Sequence, residues 1–149
     1  MYSIEEFDEA KTKVLKYILY KRRTESEIKN KFSKIYTEDL LEEIIEYLKE
    51  AGYINDKEYI EKTINNMKIL KNLSKREIQY KLMTKGIKKD DIEDYFYENS
   101  EILDEYEQKS AYNIYNKKIT TMEPEEIKQY LLKKGYSSEN IKIAMEEEK

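Results

Sequence analysis

The side chains of this chain that could engage a charged partner come in two clusters. Lys21, Arg22, Arg23, Lys29 and Lys31 form the first, and Lys68, Lys71, Lys75, Arg76, Lys81 and Lys85 form the second. The first belongs to the stretch Lys11–Lys34, with nine basic and two acidic residues, and the second to Lys68–Lys89, with eight basic and one acidic. Asp90–Glu107 reverses the sign, with nine acidic residues and no basic one. The net charge of −4 averages over these blocks and says little about partners. Short charge runs are usually solvated helix faces. If the basic residues line one side, they can meet an acidic protein groove or a phosphate backbone without reading bases.

Other chemistry is poorly supplied. The chain has no Cys and no His, which removes disulfides, thiolate nucleophiles, cysteine-bound metals and the Ser–His or Cys–His catalytic pairs. It has no phosphate-binding loop and no dinucleotide fingerprint. Asp90–Asp91 and Asp104–Glu105 are the paired acids that could hold a hard cation, but adjacent residues on a helix point apart. We therefore expect no enzyme activity, no metal, no cofactor and no small-molecule substrate. No apolar run approaches the roughly 20 residues of a membrane span. The first residues, "MYSIEEFDEA", lack the basic-then-apolar order of a signal peptide. A cytoplasmic protein without membrane contact is expected.

The elements that must carry these side chains are helices. With 39% hydrophobic against 40% charged residues, 3 glycines and 1 proline, the composition suits thin helices with one buried stripe each, not a β fold. A first stripe runs through Ile4, Phe7, Val14, Leu15, Ile18 and Leu19, capped by Ser3. A short helix follows Thr24, with Ile28, Phe32 and Ile35 on one face. A third spans Glu38–Ala51 and ends at Gly52, after which Tyr53 and Ile54 fold back as an apolar plug. Asn55 or Asp56 caps the next helix, which carries Ile60, Ile64, Met67 and Leu70, and Ser74 caps the one after it. A short acidic helix then holds Ile92, Tyr95 and Phe96. The last third repeats the plan near Glu101–Lys118, Pro124–Lys134 and Ser138–Glu147.

The chain also says one thing twice. "REIQYKLMTKGIKKDDI" (Arg76–Ile92) and "EEIKQYLLKKGYSSENI" (Glu125–Ile141) align glycine on glycine, Ile78 on Ile127, Leu82 on Leu131 and Ile92 on Ile141. Ile28 and Phe32 match Ile78 and Leu82 in an earlier copy that has no glycine and two additional residues before Ile44. The pattern reads as an all-α chain of three tandem three-helix, helix-turn-helix-like repeats, over residues 1–54, 55–99 and 100–149. A unit of under fifty residues buries little alone, so stacking of neighbours is expected to add core.

Two faces bear on partners. Arg76, Tyr80 and Met83 fall opposite the Ile78–Leu82 stripe, where they either pack on a neighbouring unit or form a partner surface with Arg76 at its edge. The third helices of the first two units, "EDLLEEIIEYLKE" and "DDIEDYFYE", are acidic, which argues against major-groove reading by a last helix. The residues expected to meet a partner are thus Lys21, Arg22, Arg23, Lys29, Lys31, Lys71, Lys75, Arg76, Tyr80, Lys81 and Lys85.

The assembled pattern resembles the RecX family of bacterial recombinase regulators. The resemblance rests on "RTESEIKNKF" (Arg23–Phe32), "LKEAGYINDKEYI" (Leu48–Ile60), "SKREIQYKLMTKGI" (Ser74–Ile87) and "EEIKQYLLKKGYSSENI" (Glu125–Ile141), in that order and spacing. It implies three helical repeats in an elongated, curved body that binds the recombinase RecA along the groove of its filament on single-stranded DNA. It further implies inhibition of filament growth, ATPase, strand exchange and co-protease activity, by a monomer that catalyses nothing, within DNA repair, homologous recombination and the SOS response. Two other readings of the residues stay open: a helical protein that binds nucleic acid without a recombinase, and a generic helical adaptor.

Overall fold

Most of the helices begin where a short polar side chain satisfies the amides that a first turn leaves bare. The computed structural model describes residues 1–70 and 72–146, the side chains of 68–70 excepted. Among the described residues there are nine helices and no strand: α1 Ile4–Tyr20, α2 Glu25–Phe32, α3 Glu38–Glu50, α4 Asp56–Leu70, α5 Lys75–Thr84, α6 Lys89–Glu98, α7 Ser100–Lys118, α8 Pro124–Lys134 and α9 Ser138–Glu146. Ser3, Thr24, Thr37 and Ser74 cap α1, α2, α3 and α5. Asn55, not Asp56, caps α4, its Oδ1 accepting from the Glu58 amide at 3.0 Å. Pro124 sits in the first turn of α8, where its missing N–H costs nothing.

The nine helices form three successive units, and most of each apolar stripe is spent inside its own unit. One cluster gathers α1, α2 and α3 around Val14, Ile28 and Ile44. A second gathers α4, α5 and α6 around Ile64, Ile78 and Ile92. A third gathers α7, α8 and α9 around Ala111, Ile127 and Ile141. The expectation that stacking adds core holds at the boundary between the second and third units. The clusters stay separate, except that Leu103 and Tyr106 near the start of α7 pack into the second. Accessible surface reflects this serial arrangement. It is 10095 Å², against roughly 8,100 Å² for a compact monomer of 18.1 kDa.

Three expected core positions are corrected. Ile4, Leu19 and Ile35 are exposed, because each lies at a helix end or just beyond one, past the reach of its neighbours. Tyr53 is also exposed; the backbone folds back as expected, with its amide on the Leu48 carbonyl at 2.9 Å, but only Ile54 enters the core.

What joins the units is polar and repeated. Thr24 Oγ1 accepts from the Glu27 amide of its own helix and donates to the carbonyl of Lys85, the residue that caps the end of α5, at 2.7 Å. Ser74 Oγ accepts from the Glu77 amide and donates to the Lys134 carbonyl, the last of α8, at 2.8 Å. The start of α2 thus rests on the end of α5, and the start of α5 on the end of α8. The glycine after each carbonyl is required twice over. Gly86 and Gly135 have φ of +85° and +102°, a region that side chains avoid. A Cβ on Gly86 would lie 2.3 Å from Ser26 Cβ, and one on Gly135 would lie 2.8 Å from Arg76 Cβ. In the first unit no such docking occurs among the described residues. There the chain leaves α2 through a right-handed turn at Ser33, and Tyr36 stacks on Phe32 with ring centroids 5.8 Å apart. That wider turn uses the two additional residues before Ile44.

An acid from the following unit completes each junction. Asp56 Oδ1 accepts from the Glu25 amide at 3.1 Å, and Glu107 Oε1 from the Lys75 amide at 2.8 Å. Glu107 is fully buried, and its other oxygen takes the Asn140 side-chain amide at 2.6 Å. Tyr106 accepts from the Leu73 amide at 3.0 Å, Lys75 Nζ pairs with Asp104, and Asn113 reaches Asn72. Among the described residues the buried polar ones are Thr24, Ser74, Glu107, Ser110 and Asn140, and they lie at or beside these junctions.

Two predictions follow from the junction geometry. Gly52 has the same φ of +85° with open space around it, so Gly52→Ala should cost about 1–2 kcal/mol. Gly86→Ala adds overpacking and should cost about 2–4 kcal/mol. In denaturant unfolding, Ser26→Gly should cushion Gly86→Ala and leave Gly52→Ala unchanged; equal costs at the two glycines would refute the close-approach account. The second concerns acid. Burial works to raise Glu25, but Lys49 and Lys29 outweigh it and hold its carboxyl below the usual 4.5. Lys75, against burial and with help from Asn140, holds Asp104 below 3.8. These two contribute stability that is whole above those ordinary values and is lost as pH falls through the lower folded ones. Burial raises Asp56, which acts in the opposite sense, favouring the fold as pH falls through its raised folded value towards the ordinary 3.8. Melting temperature against pH should therefore show a shallower acid loss in Lys49→Met and a steeper one in Asp56→Asn than in the parent.

Candidate partner-binding surface

The basic residues ride on helix ends, so the junctions decide which of them meet. In the first unit Lys21 and Arg22 are exposed after α1. Arg23 is half-buried, its guanidinium 4.0 Å from the centre of the Tyr17 ring, and Lys31 Nζ lies 5.7 Å from the same ring. A cation over an aromatic face is attracted by the ring's quadrupole and keeps its full charge. The buried Arg23 Nε finds no hydrogen-bond partner among the described residues. Arg22 and Arg23 face a hollow of about 300 Å³ shared with Leu19, Tyr53, Asn55 and Glu58. Lys29 pairs with Glu25 at 3.4 Å, and Lys49 also pairs with that carboxylate.

In the second unit the two ends of α5 differ. At its end, Lys85 is exposed, and its carbonyl lies against Thr24, next to Arg23. The junction thereby gathers Lys85 and the "KRR" stretch from opposite sides of a unit boundary. At its start, Lys75 is half-buried and its charge is matched by Asp104. Arg76 beside it is exposed at its tip, while its stem lies against Gly135. Tyr80 is 69% exposed, and Lys81 is half-buried. Lys71 and the Lys68 side chain lie outside the described residues. A ten-residue helix is about 15 Å long, so the surface divides into a patch at the first junction and another at the second. Of the two readings for Tyr80 and Met83, packing on a neighbouring unit is excluded by their exposure of 69% and 50%. Of the three residues on this face, Arg76 has its stem against Gly135 of the next unit.

Among the described residues no three acidic side chains gather into a group that could hold a metal ion. Asp104 is occupied by Lys75 and Asn140. No described helix is long and apolar enough to cross a membrane.

Sequence reasoning missed the residues that set this arrangement. Thr24 and Ser74 were legible as caps, and their matching places in two units hinted at more. Their second bonds, to Lys85 and Lys134, carried no signal in the sequence. Glu107 and Asn140 were indistinguishable from their solvated neighbours.

Comparison with known proteins bears on what such a chain is. No protein-family model matches it. It is 33% identical over 135 residues, 84% of this chain, to "Regulatory protein RecX" of Clostridium botulinum (strain Eklund 17B / Type B). It is 32% identical over 136 residues, 89% of this chain, to the protein of the same name from Staphylococcus carnosus (strain TM300). The chain spans 61% and 51% of the lengths of those two relatives. Among solved structures, RecX from Lactobacillus salivarius superposes with a TM-score of 0.83 at 26% identity, covering 97% of each chain. A second structure, described as regulatory protein RecX, gives 0.74 at 27% identity over 94% of this chain and 73% of the other. Sequence and three-dimensional likeness agree over nearly all nine helices, and the chain belongs to the RecX family of regulatory proteins.

Proposed function

We propose that this protein is a non-catalytic regulator that binds the RecA recombinase filament along its groove and inhibits filament growth, ATPase, strand exchange and co-protease activity. The observation that carries the reading is the serial build. Three units with separate cores are held at set intervals by repeated polar junctions, and basic side chains gather where those junctions meet. Such a body can touch successive protomers of a filament. Many modest contacts on one rigid frame add up, because later contacts form at high effective concentration. A body lying in the groove excludes duplex DNA and other proteins. It shifts the filament towards whichever state it binds more tightly. Relatives are named as regulatory proteins, which agrees with a role exerted through binding. The working form is a cytoplasmic monomer that uses no cofactor. Contact with the single-stranded DNA backbone inside the filament would come from the Lys21–Arg23 stretch.

The test is RecA ATPase on single-stranded DNA, titrated with this protein at two salt concentrations. The expected result is progressive loss of ATPase, with a weaker effect at higher salt. Neutralising Arg22, Arg23 and Lys29 together should raise the half-inhibitory concentration several-fold and flatten its salt dependence. No change in ATPase at saturating protein would remove the reading. Tight binding to bare DNA without any effect on RecA would favour a nucleic-acid-binding protein instead.

A further inference from the structure

The outer face of α5 carries side chains that the repeat itself does not require. Arg76, Tyr80 and Met83 stand at i, i+4 and i+7, on the side opposite Ile78 and Leu82. Tyr80 is 69% and Met83 50% exposed. The equivalent places on α2 are Ser26, Asn30 and Ser33, and on α8 they are Glu125, Gln129 and Leu132. Two of the three units thus fold with mostly polar residues there. An aromatic ring and a thioether held out in water gain nothing for folding, and Tyr, Met and Arg are the types that interfaces favour.

The ridge is also held in place. The start of α5 is tied by Ser74 to Lys134 and by the Lys75 amide to Glu107. The Arg76 stem is seated against Gly135. A partner therefore meets a helix whose backbone is already fixed, which lowers part of the entropy cost of binding.

We propose that Arg76, Tyr80 and Met83 form an anchor that inserts into an apolar hollow rimmed by carboxylates on the surface of a protein partner. The charge of the hollow follows from the helix. Arg76, Lys81 and Lys85 surround the two apolar anchors, and Glu77, the one acid of α5, is used in the capping box and lies 4.0 Å from Lys134. A protein partner fits better than a nucleic acid. Met83 offers no stacking face, and α5 has no second exposed aromatic on which a successive base could stack. Tyr97 is still more exposed, at 85%, yet it lies in the acidic stretch Asp90–Glu107 and lacks the cationic surround. This inference rests on the filament reading, the RecA filament being the partner tested.

The experiment compares full-length parent, Tyr80→Ala/Met83→Ala, Tyr80→Phe and Tyr97→Ala for binding to RecA filaments on single-stranded DNA and to bare single-stranded DNA. Because the substituted side chains are exposed, unchanged melting temperatures will certify the fold. The double variant should bind filaments at least tenfold more weakly at both low and high salt, with Tyr80→Phe and Tyr97→Ala within twofold of the parent. Parent binding with no loss in the double variant would overturn the anchor and leave the filament reading standing. No filament binding by the parent would overturn both. A loss by the double variant that appears equally on bare DNA would overturn the protein hollow in favour of a nucleic-acid contact.

Discussion

A hydroxyl that accepts from its own helix and donates to a carbonyl at the end of the next unit's middle helix is the interaction on which this architecture turns. Thr24 and Ser74 each do both. Only a group that is donor and acceptor at one atom can sit in that place. An aspartate would cap the helix equally well but would set a carboxylate against a carbonyl. The glycine that follows the carbonyl is the other half of the constraint, since Ser26 and Arg76 occupy the space a Cβ would need. Where the junction is absent, so are its residues. No cap hydroxyl reaches the turn after α2 among the described residues, and that turn has no glycine. Glu123, an acceptor only, caps α8.

This polar joining explains why the three apolar clusters stay separate. A chain with as many charged as hydrophobic residues can fill three small cores but has little left to bury between them. Helix ends solve the problem cheaply. The bare amides at the start of one helix and the bare carbonyls at the end of another are unsatisfied in any case, and placing them together through a hydroxyl removes two deficits at once. Aligned ends also bring opposite partial charges face to face. The second junction is the more elaborate, because α7 gives Leu103 to the second core while Glu107 and Asn140 tie α5 to α9. The outcome is a surface whose units are set at intervals by their junctions.

The same geometry redistributes the charge that the sequence shows as runs. Lys75 is consumed by Asp104 and Lys29 by Glu25, so part of each basic block serves the fold. Lys85 and Arg23, sixty-two positions apart in the chain, become neighbours because a single hydrogen bond joins Thr24 to Lys85.

The amino-acid order by itself determined the helices, their caps and the threefold plan, because caps, turn glycines and i, i+3, i+4 stripes are local and each unit repeats them. The cores around Ile28, Ile78 and Ile127 were readable for that reason. Ile4, Leu19, Ile35 and Tyr53 were misread, since a stripe shows which face is inward and not how far the neighbouring helix extends along it. Tertiary structure alone decided how the units meet and which basic residues remain available. Those outcomes depend on contacts between residues thirty to sixty positions apart, and nothing in the local chemistry of Glu107, Asn140 or Lys75 distinguishes a junction residue from a solvated one.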